Sequence, residues 1–309
     1  MIAVLCGGVG GSRFMRALSS VVAPERLTAI VNTGDDEWFH GLYVSPDPDI
    51  VTYALAGEVD EERGWGLRGD TFRWLGEMGR YGEETWFRIG DRDLATHLHR
   101  TRLLHAGWPL SRIAADIARA FGVGARVLPM SDDTVRTVVE TDAGAFAFQE
   151  YLVKRQARDA VRAVRFDGAA AARLGPGVLD AISAAEAILI APSNPIGSIG
   201  PILAIPGIRE AIAGSAARRV AVSPIIGGRS LQPPAGEMMA GLGHTADVAG
   251  VAAIYAGLVD TLVIDTADGG RERDVAGAGV RALVTPTVMR DEGTRRALGA
   301  AVRAELGLS

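Results

Sequence analysis

Short apolar runs recur along the 309-residue chain, and each ends in a cluster of turn-forming residues. Ile2 to Leu5 precede Gly7, Gly8, Gly10 and Gly11, and an amphipathic stretch from Arg13 to Val22 follows. That order predicts a strand, a glycine turn and a helix. Leu27 to Val31 end in Asn32-Thr33-Gly34-Asp35-Asp36. Later, Ala187 to Ile190 lead into Ala191-Pro192-Ser193-Asn194-Pro195, and Val220 to Val222 into Ser223-Pro224-Ile225-Ile226-Gly227-Gly228. Leu262 to Ile264 and Ala282 to Val284 repeat the pattern. Buried strands alternating with helices predict an α/β fold with a Rossmann-like, doubly wound, mostly parallel sheet. Ligands bind such sheets beyond the carboxyl ends of the strands, which is where the polar clusters fall.

The middle of the chain has a different texture. Leu94 to Leu104 and Ile113 to Phe121 have helical spacing. Val135 to Thr141 and Phe146 to Val153 look like strands, with Asp142-Ala143-Gly144 as a hairpin turn between them. We expect residues 1–309 to form one Rossmann-like unit, with a core of about 1–64 and 186–309 and an inserted helical and hairpin region of about 65–185.

Composition narrows the function. Hydrophobic residues make up 48 % and charged residues 22 %, as in globular proteins. The net charge of −5 gives no electrostatic support for nucleic-acid binding. The one cysteine, Cys6, excludes an internal disulfide framework and a zinc ribbon. No apolar run has the length of a membrane span, and the amino terminus lacks the basic region of a signal peptide. A cytoplasmic protein is expected, with small-molecule partners and neither nucleic acid nor membrane.

The polar clusters carry the candidate chemistry. Gly7-Gly8-Val9-Gly10-Gly11-Ser12 lets backbone approach a phosphate at a helix amino terminus; a ligand-free turn uses the same residues. Arg13 follows where a P-loop has lysine, so Walker-type chemistry is unsupported. Asp35 and Asp36 close the second strand, and Ser45-Pro46-Asp47-Pro48-Asp49 comes soon after. Two prolines predict an extended segment there, with Asp47 and Asp49 on one side. Asp35, Asp36, Asp47 and Asp49 together suggest a site for Mg²⁺ and a hydroxyl group. Gly90-Asp91-Arg92-Asp93 opens a helix that Asp91 is suited to cap, leaving Arg92 free to grip a phosphate. His97 and His99, two apart on that helix, face opposite ways and cannot share a metal. Ser193, Asn194, Gly227 and Gly228 follow buried strands and suit a nucleotide or a rigid turn.

Taken in order, GGVGG at 7–11, NTGDD at 32–36, SPDPD at 45–49, GDRDLATH at 90–97, APSNP with SIGPILAIPGIR at 191–209, and SPIIGG at 223–228 resemble the 2-phospho-L-lactate transferase family of deazaflavin coenzyme biosynthesis. The resemblance runs over essentially the whole chain. It implies an Mg²⁺-dependent transfer of a phospholactyl or phosphoenolpyruvyl group from a guanosine diphosphate donor to the ribityl hydroxyl of Fo (7,8-didemethyl-8-hydroxy-5-deazariboflavin), with release of GMP. It also implies a homodimer. The family pattern places Asp49 and Arg92 at Fo, and His97 is a further candidate contact there. Carboxylate chemistry makes Asp47 and Asp49 the catalytic candidates and Asp35, Asp36 and Asp47 the metal candidates. Gly8, Gly10, Gly11, Ser193, Asn194, Gly227 and Gly228 are the nucleotide candidates. Pro48 departs from the family, which more often has leucine there. Two alternatives stand beside this reading. One is a nucleotide-sugar-binding regulator of the same superfamily. The other is a glycosyltransferase using Asp47-Pro48-Asp49 as a D-x-D motif.

Overall fold

The computed structural model describes residues 1–231 and 233–307. Its strands are β1 (Ile2–Cys6), β2 (Leu27–Val31), β3 (Glu37–Phe39), β4 (Leu42–Val44), β5 (Arg126–Pro129), β6 (Arg136–Thr141), β7 (Gly144–Ala147), β8 (Val161–Asp167), β9 (Ala187–Ile190), β10 (Arg218–Val222), β11 (Ile225–Ile226), β12 (Arg229–Ser230), β13 (Thr261–Ile264) and β14 (Arg281–Val284). The helices that shape the site are α1 (Gly8–Ser19), α2 (Pro46–Leu55), α3 (Arg73–Arg80), α4 (Asp93–His105) and α5 (Leu110–Ala120).

Seven strands form the central sheet in the order β14-β13-β10-β9-β1-β2-β5, and every pairing is parallel. The fold is Rossmann-like. Strand β1 lies inside the sheet, with Ile2 opposite both Leu27 and Ala187. Its alternate residues feed two cores: Ala3 and Leu5 pack on one face, Ile2, Val4 and Cys6 on the other. That period of two explains why these runs are apolar throughout, since both faces are covered. No helix among the described residues is long and apolar enough to cross a membrane.

The middle of the chain departs from expectation in three ways. Strand β5 pairs with β2 and closes one edge of the central sheet, so the core takes a strand from within residues 65–185. The hairpin turns at Asp142 and Ala143 as expected, but β8 adds a third antiparallel strand beside β6. The second predicted strand stops at Ala147, and the chain coils helically from Phe148 into Glu150–Lys154. Phe148 and Tyr151 are buried on that coil while Val153 is exposed. An apolar run of this length does not separate strand from helix by composition alone.

Candidate active site

From β1 the chain moves to β2 and β5 on one side, then returns through β9, β10, β13 and β14 on the other. The loops after β1 and β9 therefore diverge at the sheet's carboxyl end, the position where open α/β sheets bind ligands. A cavity of about 590 Å³ opens there. Its size suits a small-molecule substrate.

The glycine turn is tighter than the sequence suggests. Gly7 is the extended residue before α1, and Gly8, with φ of 63°, already begins the helix. A Cβ on Gly10 would run into the Pro192 carbonyl, and one on Gly11 into the Ser193 hydroxyl. These two glycines let α1 approach the loop after β9. Ser193 fixes that contact: its hydroxyl accepts from the Gly7 amide at 3.1 Å and donates to the Gly7 carbonyl at 2.7 Å. The Asn194 side chain accepts from the Ile196 and Gly197 amides, which folds its own turn. Gly8, Gly10, Ser193 and Asn194 line the cavity; Gly11 is buried behind it.

The aspartates gather beside the glycine turn. Ser45 to Asp49 do not form an extended segment. Pro46 and Pro48 occupy the first turn of α2, where a missing amide hydrogen costs nothing. Helical geometry turns Asp47 and Asp49 to different sides. Asp47 accepts from the Gly8 amide at 2.8 Å and from the Asn32 side chain at 2.9 Å. Asp49 accepts from the Arg100 guanidinium and lies 3.7 Å from His97 Nδ1. Asp35, Asp47 and Asp49 all line the cavity. Oδ1 of Asp35 and Oδ2 of Asp49 are buried without a hydrogen-bond partner.

Burial dominates the charges of this group. It pushes Asp47 up to about 6, against the pull of Asn32 and the Gly8 amide. Burial and the neighbouring Asp47 hold Asp35 well above the usual carboxylate range. Burial also raises Asp49, opposed by Arg100 and His97. Asp93 is the exception: burial acts to raise it, but His97 and Tyr53 outweigh that and lower it.

Comparison with known proteins fixes the lineage. The family model described as 2-phospho-L-lactate transferase CofD matches residues 2–302. The chain belongs to this transferase family. A phosphoenolpyruvate transferase of Streptomyces griseus subsp. griseus is 45 % identical over 296 residues, covering 94 % of this chain and 93 % of that protein. A phosphoenolpyruvate transferase of Mycolicibacterium smegmatis is 39 % identical, covering 100 % of this chain and 98 % of that protein. A crystal structure of a UPF0052 family protein from Bacillus halodurans has the same fold, with TM-score 0.66 at 20 % identity, covering 97 % of this chain and 98 % of that one.

Several residues of this transferase-family chain lie away from where sequence reasoning put them. Asp36 is not part of the cavity wall. Its carboxylate accepts from the Ser45 hydroxyl at 2.7 Å, and burial raises it well above the ordinary value. Arg92 turns outward, donating to the Arg68 carbonyl at 2.6 Å and pairing with Glu58 at 3.2 Å. Asp91 caps α3, through the Arg73 and Trp74 amides, while Asp70 caps α4 through the Arg92 and Asp93 amides. The two caps are exchanged between helices, and Gly90 leaves room for Asp70. Gly227 and Gly228 form the β11–β12 hairpin turn, with φ of 57° and 70°. Successive positive φ angles demand glycine there without any ligand. His97 does line the cavity, while His99 binds Asp116 at 2.8 Å.

Sequence reasoning also missed residues. Arg13, Arg88 and Arg290 line the cavity, and none makes a salt bridge among the described residues. Trp65, Trp86, Phe87 and Phe148 add aromatic wall. Arg13 had a sequence signal in its place directly after the glycine turn. Arg88 and Arg290 had none, because only the fold brings them together.

Among the described residues, no three His, Cys, Asp or Glu side chains form a ready metal site. Asp35 and Asp47, both raised in pKa by burial and with Asp35 Oδ1 unpartnered, fit the looser pattern of Mg²⁺, which takes one or two carboxylates and completes its shell with water and substrate phosphates.

Proposed function

We propose that this cavity transfers a phosphoenolpyruvyl or phospholactyl group from a guanosine diphosphate donor to the terminal ribityl hydroxyl of Fo, with release of GMP. The observation that carries the reading is the gathering of carboxylates and arginines in the lining of one cavity. Asp35, Asp47 and Asp49 line it, and so do Arg13, Arg88 and Arg290, which make no salt bridge among the described residues. A diphosphate ester is the kind of ligand that needs the arginines, and a hydroxyl acceptor is the kind that needs a carboxylate. The similarity to phosphoenolpyruvate transferases supports an enolpyruvyl donor over a lactyl one.

In this reading the three arginines bind the diphosphate and the aromatic wall takes the tricyclic ring of Fo. Asp49 accepts a hydrogen bond from the ribityl hydroxyl and takes its proton as the oxygen attacks. The new P–O bond forms at the distal phosphorus while the bond to GMP breaks. Such chemistry depends on alignment and charge neutralisation, with no covalent enzyme intermediate. Asp35 and Asp47 would hold Mg²⁺, which supplies charge neutralisation at the phosphates when bound.

The test is incubation with Fo, Mg²⁺ and each donor, followed by mass spectrometry. Formation of the phosphodiester with equimolar GMP supports the reading. Absence of product with both donors, together with binding of a uridine diphosphate sugar, would replace it with the regulatory alternative.

A further inference from the structure

Arg100 is the largest fully buried side chain in the protein, and no feature of the sequence singles it out. It projects from α4 beneath the cavity wall. Its guanidinium donates to Asp49 Oδ1, lies 3.1 Å from His97 Nδ1 and reaches the Tyr43 carbonyl at 3.4 Å. A guanidinium can only donate, so His97 must accept at Nδ1. That fixes the ring's tautomer: Nδ1 bare, the proton on Nε2. Nε2 in turn lies 3.2 Å from Asp93 Oδ2, without the alignment of a full hydrogen bond. Asp93 accepts from the Tyr53 hydroxyl at 2.7 Å through its other oxygen.

We propose that Arg100 is a positioning residue: by holding Asp49 through one oxygen and His97 through Nδ1, it leaves Asp49 Oδ2 without a hydrogen-bond partner and turns the His97 Nε2–H toward Asp93, in two residues that line the cavity. Arg100 is not part of the cavity wall. Its effect passes through the two residues it orients. The kinetic part of this inference rests on the transferase reading above; the tautomer does not.

Two measurements separate these parts. The first is long-range ¹H–¹⁵N NMR of the histidine rings, with His97 assigned from the spectrum of His97→Gln. Wild type should show the proton on Nε2. In Arg100→Met, which keeps bulk but has no donor, that preference should be lost. The second is turnover of Fo with saturating donor. Arg100→Met should lower kcat by about 100-fold while donor KM stays within about 3-fold, because alignment and not donor binding is lost. Arg100→Lys, which keeps a charge and a donor, should recover part of the rate and of the tautomer preference. If Arg100→Met does not fold, Arg100→Lys carries the test with a smaller loss of kcat. A wild-type His97 protonated on Nδ1, or wild-type kcat in both variants, overturns the proposal. Wild type with the expected tautomer but no turnover of Fo instead overturns the transferase reading and leaves the Arg100 geometry standing.

Discussion

The two halves of the sheet meet the cavity with different materials. On the β1–β2 side, side chains carry the chemistry: Asp35, Asp47, Asp49, Asp93 and His97 are cavity-facing, and several keep unpartnered atoms. On the β9–β10 side the polar side chains are already used. Ser193 is bound to Gly7, Asn194 to its own turn, and the Ser223 hydroxyl to the Ile225 backbone. What the loops after β9 and β10 chiefly offer a ligand is backbone and apolar surface, with Pro192, Pro224, Ile226 and Pro234 in the wall; the charge on this half comes from Arg290, after β14. The lesson is that a polar residue at a strand end is informative only once its own hydrogen bonds are counted. Unspent groups mark the reactive side; spent groups mark the scaffold.

The largest expected effect comes from Asp49→Asn. Product formation should fall by about 10³-fold or more, because the hydroxyl loses its proton acceptor. The melting temperature should also drop, since Arg100 keeps a buried charge without its counter-ion. Turnover near wild type would break the division between the halves.

Asp35→Asn separates activity from stability. Turnover should fall by about 10²-fold without loss of stability at pH 7, because burial and Asp47 already disfavour a charged carboxylate at this position. The burial of Asp47 gives a pH signature. The folded state holds the Asp47 proton up to about pH 6, whereas an exposed aspartate releases it near 3.8. The folded state therefore binds more protons between these values, and metal-free stability should fall as pH rises through that window. Mg²⁺ competes with the same proton, so its affinity should weaken as pH falls below about 6. Calorimetric titrations at pH 5 and 7.5 check this, and equal affinities would contradict it.

On the scaffold side the order of effects reverses. Ser193→Ala should cost about 1–3 kcal/mol of stability by stranding the Gly7 amide and carbonyl, with kcat changed by less than about 5-fold. Denaturant melts and initial rates measure both. The smallest effect is expected for Arg92→Ala. Its exposed pair with Glu58 contributes about 1 kcal/mol or less, and Fo affinity should shift by under about 3-fold. A large loss of Fo binding would return Arg92 to the site and move the cavity's working boundary toward α4's first turn.

Much of the fold was legible because parallel strands buried on both faces leave uninterrupted apolar runs. β1, β2 and β9 are such runs, and the residues after them frame the cavity. β5 was missed because Arg126-Val127-Leu128-Pro129 alternates exposure at a sheet edge and ends in proline. The SPDPD segment was misjudged because proline suits the first turn of a helix as well as an extended chain, and the choice fell to packing of α2 on α1. Asp35, Asp47 and Asp49 were legible as a carboxylate cluster, which buried chains rarely assemble without use. Arg100 and the exchanged caps of Asp70 and Asp91 were not legible, because each depends on a partner 18 to 51 residues away in sequence.

The most direct test of the central claim is titration of Fo by its intrinsic fluorescence, in wild type and in Asp49→Asn, with Mg²⁺ and GDP present. Saturable binding by wild type that weakens at least about 10-fold in Asp49→Asn is the result predicted here. Absence of saturable binding by wild type would contradict the account, and the cavity would then have to serve a different ligand.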